Sequence, residues 1–559
     1  MKVNGLKSWI GSLYRRDSLK SDAVAGLVLG VESVPDGLAS GLLAGVNPVF
    51  GLYGFMVGTA TGALFTSATF MAVQGTGAMA IIISDVPSVT GGEDPGRALF
   101  TLALLTGAIM LTAGLLTLGS LLRWVSNAVM VGFINAVGVN IVLGQLDNFS
   151  GYAAEGDNRV VRAFDLVFNL GQAHWPSMLI GGLTILLIVL LERTKLGSMG
   201  MVVAIVAASA ITPMFGGVAV LSDVSDIPRS LPLPVLPDFG LVLELLIPAA
   251  ALAFVGLVQG AGISANFPNP DGTYPDASRD FVGQGAANIA SGLFQGMPVG
   301  GSMSGSSLIK EAGARSRAAL IIASLVMAIS VMAFGNLVGL IAMPALAGLL
   351  MLIGLRTIKP VDIKAVWRTG KTQATVLAVT FGLTMLIPLQ TAVLAGAGIS
   401  IILYVIRQSN QVRVVEWAVD ESGRMREIDP PPVIPPNSVV ALQPYGSLFF
   451  AAAPVFEHAL PEVAVSSRNS VVILRLRGKS DLGTTFMEII ERYALKLSQV
   501  GSKLVIVSAA DRVIEQLVIT GVTEVVGEEN VYPSDEWLGA TLERAYADAR
   551  AWVDQRVDS

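Results

Sequence analysis

The chain has 559 residues, of which 53% are hydrophobic and only 14% are charged, and its mean hydropathy is +0.66. Soluble domains carry about 25% charged residues, so this composition excludes an ordinary soluble protein and indicates a membrane protein. Cysteine is absent, and His174 and His458 lie outside the long apolar runs, which excludes a thiolate site or an intramembrane histidine site. The formal net charge of −6 argues against a nucleic-acid partner. We therefore expect no metal site and no cofactor.

Apolar runs occupy residues 22–408, and a helix that spans a membrane needs roughly 20 apolar residues. We divide these runs into about fourteen predicted membrane segments, several of which are interrupted by glycine or proline. The predicted segments are 22–45, 48–66, 70–85, 98–119, 123–145, 176–193, 198–216, 239–261, 281–296, 298–312, 315–335, 336–357, 372–388 and 391–407.

The charges between these segments predict the orientation of the chain. If the basic N-terminal segment 1–21 is cytoplasmic, the loops that face the cytoplasm carry most of the basic residues, whereas the loops on the other side are mainly acidic. The positive-inside rule is therefore satisfied, except at the acidic stretch 268–280, which this topology assigns to the inside. An even number of segments places both termini in the cytoplasm, and we expect a multi-pass protein of the bacterial inner membrane.

The first predicted segment carries two carboxylates within an apolar run. Glu32 and Asp36 are four residues apart and share one face of a helix, and Pro35 interrupts the backbone hydrogen bonds beside them. Carboxylates inside a membrane are costly and usually face a cavity. One interpretation is that Glu32 or Asp36 binds or relays a proton, and the alternative is that Glu32 lies near the interface and is hydrated.

Two stretches combine glycine with serine or threonine at the start of a short apolar segment. They are SATFMAVQGTGAMAIII (67–83) and GMPVGGSMSGSSLI (296–309), in the third and tenth predicted segments. A helix that begins inside the membrane presents free N–H groups and the positive end of its dipole. Matching interrupted segments in the two halves of a chain are typical of inverted-repeat transporters. We therefore predict an anion site between these helix starts; the alternative is that the glycines only allow close helix packing.

The eighth predicted segment contains a neutral amide, Gln259, within the run FVGLVQGAGISANF. An amide at this depth can hydrogen-bond either a ligand or a neighbouring helix, and we keep both interpretations of Gln259.

The character of the sequence changes after residue 408. The proline-rich run DPPPVIPPNS (429–438) predicts that 409–438 is a linker. Behind it, SVVALQP, SVVILRLRG and SKLVIVSA read as strands, and they alternate with the predicted helices FMEIIERYALKLSQVG and DRVIEQLVITG. This alternation predicts a small α/β domain over 439–559.

These residues resemble a known family. The run PDGLASGLLAGVNPVFGLY (35–53) resembles the first-helix signature of the SulP family of anion transporters, and FVGQGAANIASGLFQGMPVGGSMSGSS (281–307) is similar to the family's ninth and tenth helices. The tail resembles the STAS domain that the family carries at its C-terminus. The resemblance covers nearly the whole chain, and its two membrane motifs are more specific than the match of the tail.

The resemblance implies a polytopic α-helical fold in which 22–408 form a seven-plus-seven inverted repeat with core and gate domains, followed by a cytoplasmic α/β STAS domain. It implies a homodimer that transports a small anion, of the sulfate, bicarbonate or dicarboxylate class, by alternating access between the third and tenth helix starts. The residues that the resemblance places against the ligand are Asp36, Ser40, Gly75, Thr76, Gly77, Gly301, Ser302, Met303 and Ser304.

The sequence departs from the family pattern at several of these positions. The family often has an arginine where this chain has Gly305, so the site loses a fixed positive charge. The first helix offers Asp36 and Ser40 in place of glutamine and an aromatic residue, and Gln259 stands where sodium-coupled members have an aspartate. Because an ionised Asp36 would repel an anion, we hypothesise that it is protonated when the anion binds, which favours proton symport over sodium coupling. In the tail, Asp481-Leu482 replaces the usual Asp-Ser phosphorylation motif.

Two other functions fit parts of the sequence. A nucleobase symporter of the same fold would suit a site without arginine, and a membrane sensor that does not transport would use the tail as its output. An enzyme is not expected, because no catalytic or nucleotide-binding motif occurs in either part of the chain.

Overall fold

The computed structural model describes residues 16–119, 126–156, 158–224, 230–409, 411–419, 425–537 and 539–557. Residues 1–15 of the predicted N-terminal segment lie outside the described residues, as do the predicted loop residues Arg123, Asp157, Asp226 and Arg229. The chain divides into two units, Met1–Ser400 and Ile401–Ser559.

The first half of the first unit contains α1 (Leu19–Leu43), α2 (Pro48–Phe65), β1 (Ala72–Gln74), α3 (Gly77–Ser84), α4 (Pro87–Thr90), α5 (Pro95–Leu115), α6 (Asn127–Gly144), α7 (Leu146–Ser150), α8 (Arg159–Phe168), α9 (Trp175–Leu191), α10 (Met199–Ile211) and α11 (Leu221–Val224). The second half contains α12 (Val242–Asn266), α13 (Ala277–Leu293), β2 (Gly300–Ser302), α14 (Met303–Glu311), α15 (Ala318–Gly339), α16 (Met343–Thr357), α17 (Pro360–Thr369), α18 (Lys371–Leu386) and α19 (Leu389–Ser409). Short 3-10 helices lie at Arg16–Ser18, Leu170–Gln172, Thr212–Met214 and Phe239–Leu241.

Six helical segments among the described residues are long and apolar enough to span a membrane. They are Leu19–Leu43, Pro48–Phe65, Pro95–Leu115, Asn127–Ser150, Phe239–Asn266 and Ala318–Gly339, and the shorter apolar helices Trp175–Leu191 and Met199–Met214 join them. The predicted segments 70–85 and 298–312 are instead a strand followed by a short helix. Their glycine and proline therefore mark interrupted membrane segments, as predicted.

Most of the helix starts are encoded locally. Asn47, Asp94 and Ser126 cap α2, α5 and α6 with their side-chain oxygens, and proline occupies the first turn of α2 and of α5. These residues satisfy N–H groups that have no partner inside the helix, and proline has no N–H to satisfy.

The acidic stretch 268–280 is not simply a cytoplasmic loop. Asp276 caps α13 by accepting a hydrogen bond from the Arg279 amide, and α13 already begins at Ala277. Asp280 is fully buried within this first turn. The acidic exception to the charge rule therefore has a structural cause, because one of its carboxylates serves the interior of the unit.

Small residues bring the long helices of the first unit close together. A Cβ at Gly285 of α13 would lie 2.5 Å from the Leu111 amide and 2.9 Å from the Gly107 carbonyl oxygen of α5. A Cβ at Gly26 of α1 would lie 2.6 Å from the Ala319 carbonyl oxygen of α15. Since lipid provides no hydrophobic force between helices, such close backbone packing is what holds them together.

The second unit contains β3 (Arg413–Val419), β4 (Met425–Ile428), β5 (Val439–Tyr445), α20 (Ala453–Ala459), β6 (Val471–Arg475), α21 (Thr484–Gln499), β7 (Lys503–Ala509), α22 (Asp511–Ile519), α23 (Val522–Val526), β8 (Val531–Pro533) and α24 (Ala540–Val557), with 3-10 helices at Phe450–Ala452 and Glu528–Asn530. The described strands form a sheet in the order β4-β3-β5-β6-β7-β8, in which β5 to β8 are parallel. The buried residues Phe456, Phe486 and Leu517 pack with one face of this sheet, and Leu542 and Val553 of α24 pack with the other. The predicted strands and helices of the α/β tail are confirmed.

The structure also places two strands inside the stretch predicted as a linker. β3 and β4 pair antiparallel, and β3 adds antiparallel to β5. The reason is the run RVVEWAV, which is rich in the β-branched and aromatic residues that favour strands.

The contact between α5 and α13 gives a stability prediction. Gly285→Ala should lower the free energy of unfolding by about 1–3 kcal/mol, because its new methyl group meets backbone atoms that cannot move aside. In Gly382→Ala nothing lies within 4 Å of the new Cβ, so this control should be neutral or gain about 0.5–1 kcal/mol from helix propensity. Both variants are heated in detergent, and size-exclusion chromatography measures the fraction of protein that stays folded at each temperature. Equal melting temperatures of the two variants would contradict the prediction.

Candidate functional site

Two extended segments from the two halves of the first unit meet in the interior. β1 and β2 pair antiparallel, with Ala72 opposite Ser302 and Gln74 opposite Gly300. We call this pair the ribbon. The predicted site segments 75–77 and 301–304, which are more than 220 residues apart in sequence, are therefore brought together as expected for a shared site.

Each strand of the ribbon leads directly into a short helix. Thr76 caps α3 by accepting a hydrogen bond from the Met79 amide (3.4 Å), and Ser302 caps α14 by accepting one from the Gly305 amide (3.3 Å). The two helix starts therefore flank the ribbon, each with a dipole whose positive end points back towards it. The capping side chains account for one N–H group of each first turn.

The two helix starts are accessible, whereas the ribbon itself is buried. Thr76 and Gly77 are partly exposed, Ser304 is exposed, and Met303 is 45% exposed. The first-turn amides of Gly77, Ala78, Met303 and Ser304 are not taken up by hydrogen bonds to the described residues. These amides are the donors that a ligand between the helix starts would meet.

Gln259 of α12 belongs to the same place. Its Oε1 accepts a hydrogen bond of 3.0 Å from the Thr76 hydroxyl, and its side chain remains partly exposed. Thr76 thus donates to Gln259 and accepts from Met79, which fixes its orientation. Gln259 therefore makes a contact between helices, and a ligand contact through its amide nitrogen stays a prediction.

The α1 residues lie on a face that is tied to the ribbon. Ser33 accepts a hydrogen bond of 2.9 Å from the buried Gln74 side chain. Asp36 and Ser40 follow one and two helical turns later on the same face. Asp36 is partly buried and Ser40 is buried, and neither side chain is hydrogen-bonded to the described residues.

Glu32 is also partly buried. Its Oε2 is shielded from solvent and accepts no hydrogen bond from the described residues. The interpretation of Glu32 as a hydrated surface carboxylate does not account for this shielding.

The glycines of the site are required by shape. A Cβ at Gly75 would lie 2.8 Å from the Phe55 ring, and a Cβ at Gly301 would lie 2.7 Å from the Cα of Gly260. The Gly301 amide donates to the Gln284 Oε1 (3.0 Å). Gly301 therefore shapes the ribbon rather than offering its N–H group to a ligand.

Sequence reasoning missed the residues that hold the ribbon. Asp280, Gln284, Asn288 and Ser291 form a fully buried polar stripe along one side of α13. We call them the α13 stripe. Polar residues at this spacing in an otherwise apolar helix were a signal in the sequence, since they lie on one face.

Each member of the α13 stripe binds extended backbone near the ribbon. Asp280 accepts from the amides of Ser67 and Ala68, at 2.6 and 3.1 Å. Asn288 both donates to the Val299 carbonyl oxygen (2.6 Å) and accepts from its amide (2.8 Å). Ser291 donates to the Met297 carbonyl oxygen (2.7 Å). The stripe therefore satisfies the backbone that leads into both helix starts.

Two regions of the chain match known families. Residues 19–380 match the sulfate permease family, and this region is more than half of the chain. The chain belongs to the sulfate permease family. It is therefore a multi-pass membrane transporter of an anion-transporting family and not an enzyme. Residues 431–538 match the STAS domain, which confirms the resemblance of the tail.

Relatives in this family are distant but extend over most of the chain. "Putative sulfate transporter YvdB" of Bacillus subtilis (strain 168) is 25% identical, over 93% of this chain and 97% of the relative. "Probable sulfate transporter 4.2" of Arabidopsis thaliana is 25% identical, over 93% of this chain and 80% of the relative. Prestin of Danio rerio is 24% identical, over 81% and 66% of the two chains.

Solved structures show the same fold. The overall structure of SLC26A9 matches with a TM-score of 0.83 at 19% identity and covers 99% of this chain and 96% of its own. The transmembrane domain of the cyanobacterium bicarbonate transporter BicA matches with a TM-score of 0.58 at 22% identity, over 70% of this chain and 99% of that domain. The predicted polytopic α-helical sulfate permease fold with a STAS domain is confirmed, and the seven-plus-seven repeat is consistent with it.

The α13 stripe gives the prediction for the site. Gln284→Leu should lower the free energy of unfolding by about 1–3 kcal/mol, because it leaves the buried Gly301 amide without an acceptor. Transport should fall with it, because the start of α14 is no longer fixed. Gln172→Leu is the matched control, since Gln172 is exposed and far from the ribbon in the sequence. Melting temperature and initial uptake rate should both fall only in Gln284→Leu; unchanged values there would show that the stripe does not support the site.

Proposed function

We propose that this chain is a secondary active transporter of a small anion of the sulfate, bicarbonate or dicarboxylate class. The anion binds between the starts of α3 and α14 and crosses by alternating access. The observation that carries the proposal is the ribbon, because an accessible helix start follows each of its two buried strands, and the first-turn amides of both helices are not bonded to the described residues. The substrate-facing residues in this proposal are Asp36, Ser40, Thr76, Gly77, Ser302, Met303 and Ser304, with Gln259 as an additional polar contact. Gly75 and Gly301 shape the ribbon beside them.

Binding in this proposal relies on dipoles and amides rather than on a charged side chain. No lysine or arginine occurs among the proposed substrate-facing residues. A helix start contributes about 0.3–2 kcal/mol to anion binding. Two such starts support weak binding, which suits a carrier that must release its ligand on the other side.

The position that often carries arginine in the family supports the same conclusion. A Cβ at Gly305 would lie 2.5 Å from the Gln74 Oε1 and 3.0 Å from the Ala72 Cβ. Gln74 is itself held by Ser33. A side chain at position 305 would have to displace this amide, so the packing beside α14 is adapted to glycine.

Proton coupling is the finer part of the proposal. Glu32 and Asp36 are four residues apart on one face of α1, so the two carboxylates are neighbours within an apolar helix. With no basic residue among the substrate-facing positions, an incoming anion meets at least one carboxylate. Protonation of Asp36 removes this repulsion, so proton and anion bind together, and Glu32 relays the proton.

The remaining assignments follow from the charge pattern and the family. We propose that the protein lies in a bacterial inner membrane with cytoplasmic termini. Its transporter domain is 22–408 and its STAS domain is 439–559, whose sheet is extended by β3 and β4 from the stretch 409–438, and it assembles as a homodimer.

A nucleobase symporter of this fold is the second candidate. It is favoured by one observation: the substrate-facing residues include no basic side chain. An uncharged ligand does not need one. A ligand of this kind would hydrogen-bond with Gln259 and the helix-start amides.

A panel of solutes in proteoliposomes tests the proposal. Radiolabelled sulfate, bicarbonate, fumarate and uracil are compared, and uptake of at least one anion and not of uracil is expected. Thr76→Val should lower kcat/KM for that anion about tenfold, because the cap and its bond to Gln259 are lost. Thr112→Val is the control, since the exposed Thr112 hydroxyl only bonds its own helix. Transport of uracil alone would support the second candidate and overturn the anion proposal.

Proton coupling is tested separately. An inward proton gradient should accelerate uptake by the unaltered protein, and Asp36→Asn should abolish this stimulation while downhill exchange continues, because asparagine cannot carry the proton. Asp94→Asn is the control, since Asp94 is exposed and asparagine also caps a helix. If the proton gradient does not change the uptake rate of the unaltered protein, proton coupling is refuted, but the proposal of anion transport is not.

A further inference from the structure

A polar cavity lies at the opposite end of α3 from the ribbon. Its volume is about 750 Å³. One wall contains Leu43 and Asp85, at the ends of α1 and α3, and the other contains Asn140, Arg159 and Arg162, from α6 and α8. We call it the Arg159 vestibule.

Asp85 joins the two walls of the vestibule. It directly follows α3, and its Oδ1 accepts a bond of 2.7 Å from the Arg159 Nη2. Its Oδ2 accepts a bond of 2.8 Å from the Leu389 amide at the start of α19, and its carbonyl oxygen accepts one of 3.3 Å from Gln390. The carboxylate of Asp85 thus occupies a position prepared for an anion, between a guanidinium and the positive end of a helix dipole.

An apolar side chain, Leu43, connects the surroundings of this position with those of the proposed site. A Cβ at Gly77, the first residue of α3, would lie 2.5 Å from Ile141 and 3.9 Å from Leu43. A Cβ at Gly144 would lie 3.6 Å from the Arg159 Nε and 3.8 Å from the same Leu43 side chain. Leu43 is therefore shared by the surroundings of Arg159 and those of the α3 start.

We propose that Arg159 forms an outer subsite for the transported small anion and that Asp85 occupies this subsite in the present state. An anion arriving in the vestibule replaces the Asp85 carboxylate on Arg159. The replacement breaks the ion pair between the end of α3 and α8. Arg159 also donates to the Ser84 hydroxyl (2.6 Å), and Leu389 and Gln390 donate to Asp85, so α3 is then held to the opposite wall by these hydrogen bonds without the ion pair. Anion arrival and opening of the vestibule are thereby coupled. This inference rests on the proposed function, because it assumes that the ligand at the α3 start is an anion.

The vestibule also contains Arg162 and Asp147. Arg162 adds a second positive charge, although its Nε donates to the Gly156 carbonyl oxygen. Asp85 and Asp147 balance these two charges while Asp85 is paired with Arg159. When Asp85 leaves Arg159, the vestibule gains a local positive charge at the place where the anion binds.

The absence of cysteine from the sequence permits a direct test. Thr90→Cys places a thiol at an exposed position on the vestibule wall. Detergent-solubilised full-length protein is labelled with two thiosulfonates of similar size, the anionic ethylsulfonate and the cationic ethyltrimethylammonium reagent. The ratio of the anionic to the cationic rate reports the local charge and needs no transport.

Three added changes decide the outcome. Arg159→Gln should lower the ratio about threefold, and Asp85→Asn should raise it about threefold, because each changes one unit of charge near the thiol. Arg97→Gln removes the same charge from an exposed residue outside the vestibule and should leave the ratio unchanged. A thiol from Ser222→Cys, which is exposed but does not line the vestibule, should not respond to any of the three.

Sulfate is then added as the probe anion. It should slow labelling of the Thr90→Cys thiol by the anionic reagent more strongly in Asp85→Asn than in the unaltered background, and this protection should vanish with Arg159→Gln. The proposal is overturned if Arg159→Gln changes neither the ratio nor the protection, and Arg159→Gln suffices for this decision if Asp85→Asn does not assemble. Labelling does not depend on transport. A negative labelling result therefore argues against the outer subsite alone, whereas a negative uptake result with all anions argues against the proposed function.

Discussion

The structure depends on satisfying a short length of non-helical backbone inside the membrane. An unpaired N–H or C=O group in hydrocarbon costs several kcal/mol, so extended segments are tolerated at this depth only if protein groups bind them. The ribbon binds part of this backbone by pairing the two halves of the unit, and the α13 stripe binds most of the rest. The proposed site exists because these contacts let two helices begin where a continuous helix would have no free amides.

The residues at the two helix starts could be predicted from the sequence more fully than the residues that hold the ribbon in place. Glycine beside serine and threonine in short apolar segments predicts helix starts, and Thr76 and Ser302 indeed cap α3 and α14. The pairing of residue 73 with residue 301 could not be predicted, because no local pattern specifies a partner so far away in the sequence. Gln284 was visible in the sequence as a polar residue in a membrane segment, but its acceptor role towards Gly301 depends on how α13 packs. The strands β3 and β4 were missed because proline nearby indicated a linker, and because β5, the strand that joins β3 to the rest of the sheet, lies beyond it.

A site without a fixed positive charge has consequences for selectivity. An arginine would discriminate strongly by charge, whereas helix starts and amide groups discriminate by shape and by hydrogen-bonding pattern. Gly305 and the Gln74 amide next to it belong to this second kind of site. The acids on α1 then have more influence on the ligand than they would beside an arginine.

The brevity of α3 and α14 fixes how far the proposed site lies from each membrane surface. The helices have eight and nine residues, so they are roughly 12 and 14 Å long. With the ribbon between them, they account for most of a hydrocarbon core that is about 30 Å thick. A charge at the ribbon is therefore near the middle of the transmembrane electric field. A charged ligand crosses about half of the membrane potential when it enters from one side and about half when it leaves on the other. The electrical work of each step is about 1.1 kcal/mol per elementary charge for 100 mV. Any net charge carried in the cycle is consequently divided between two voltage-dependent steps, and neither step alone bears the full electrical work.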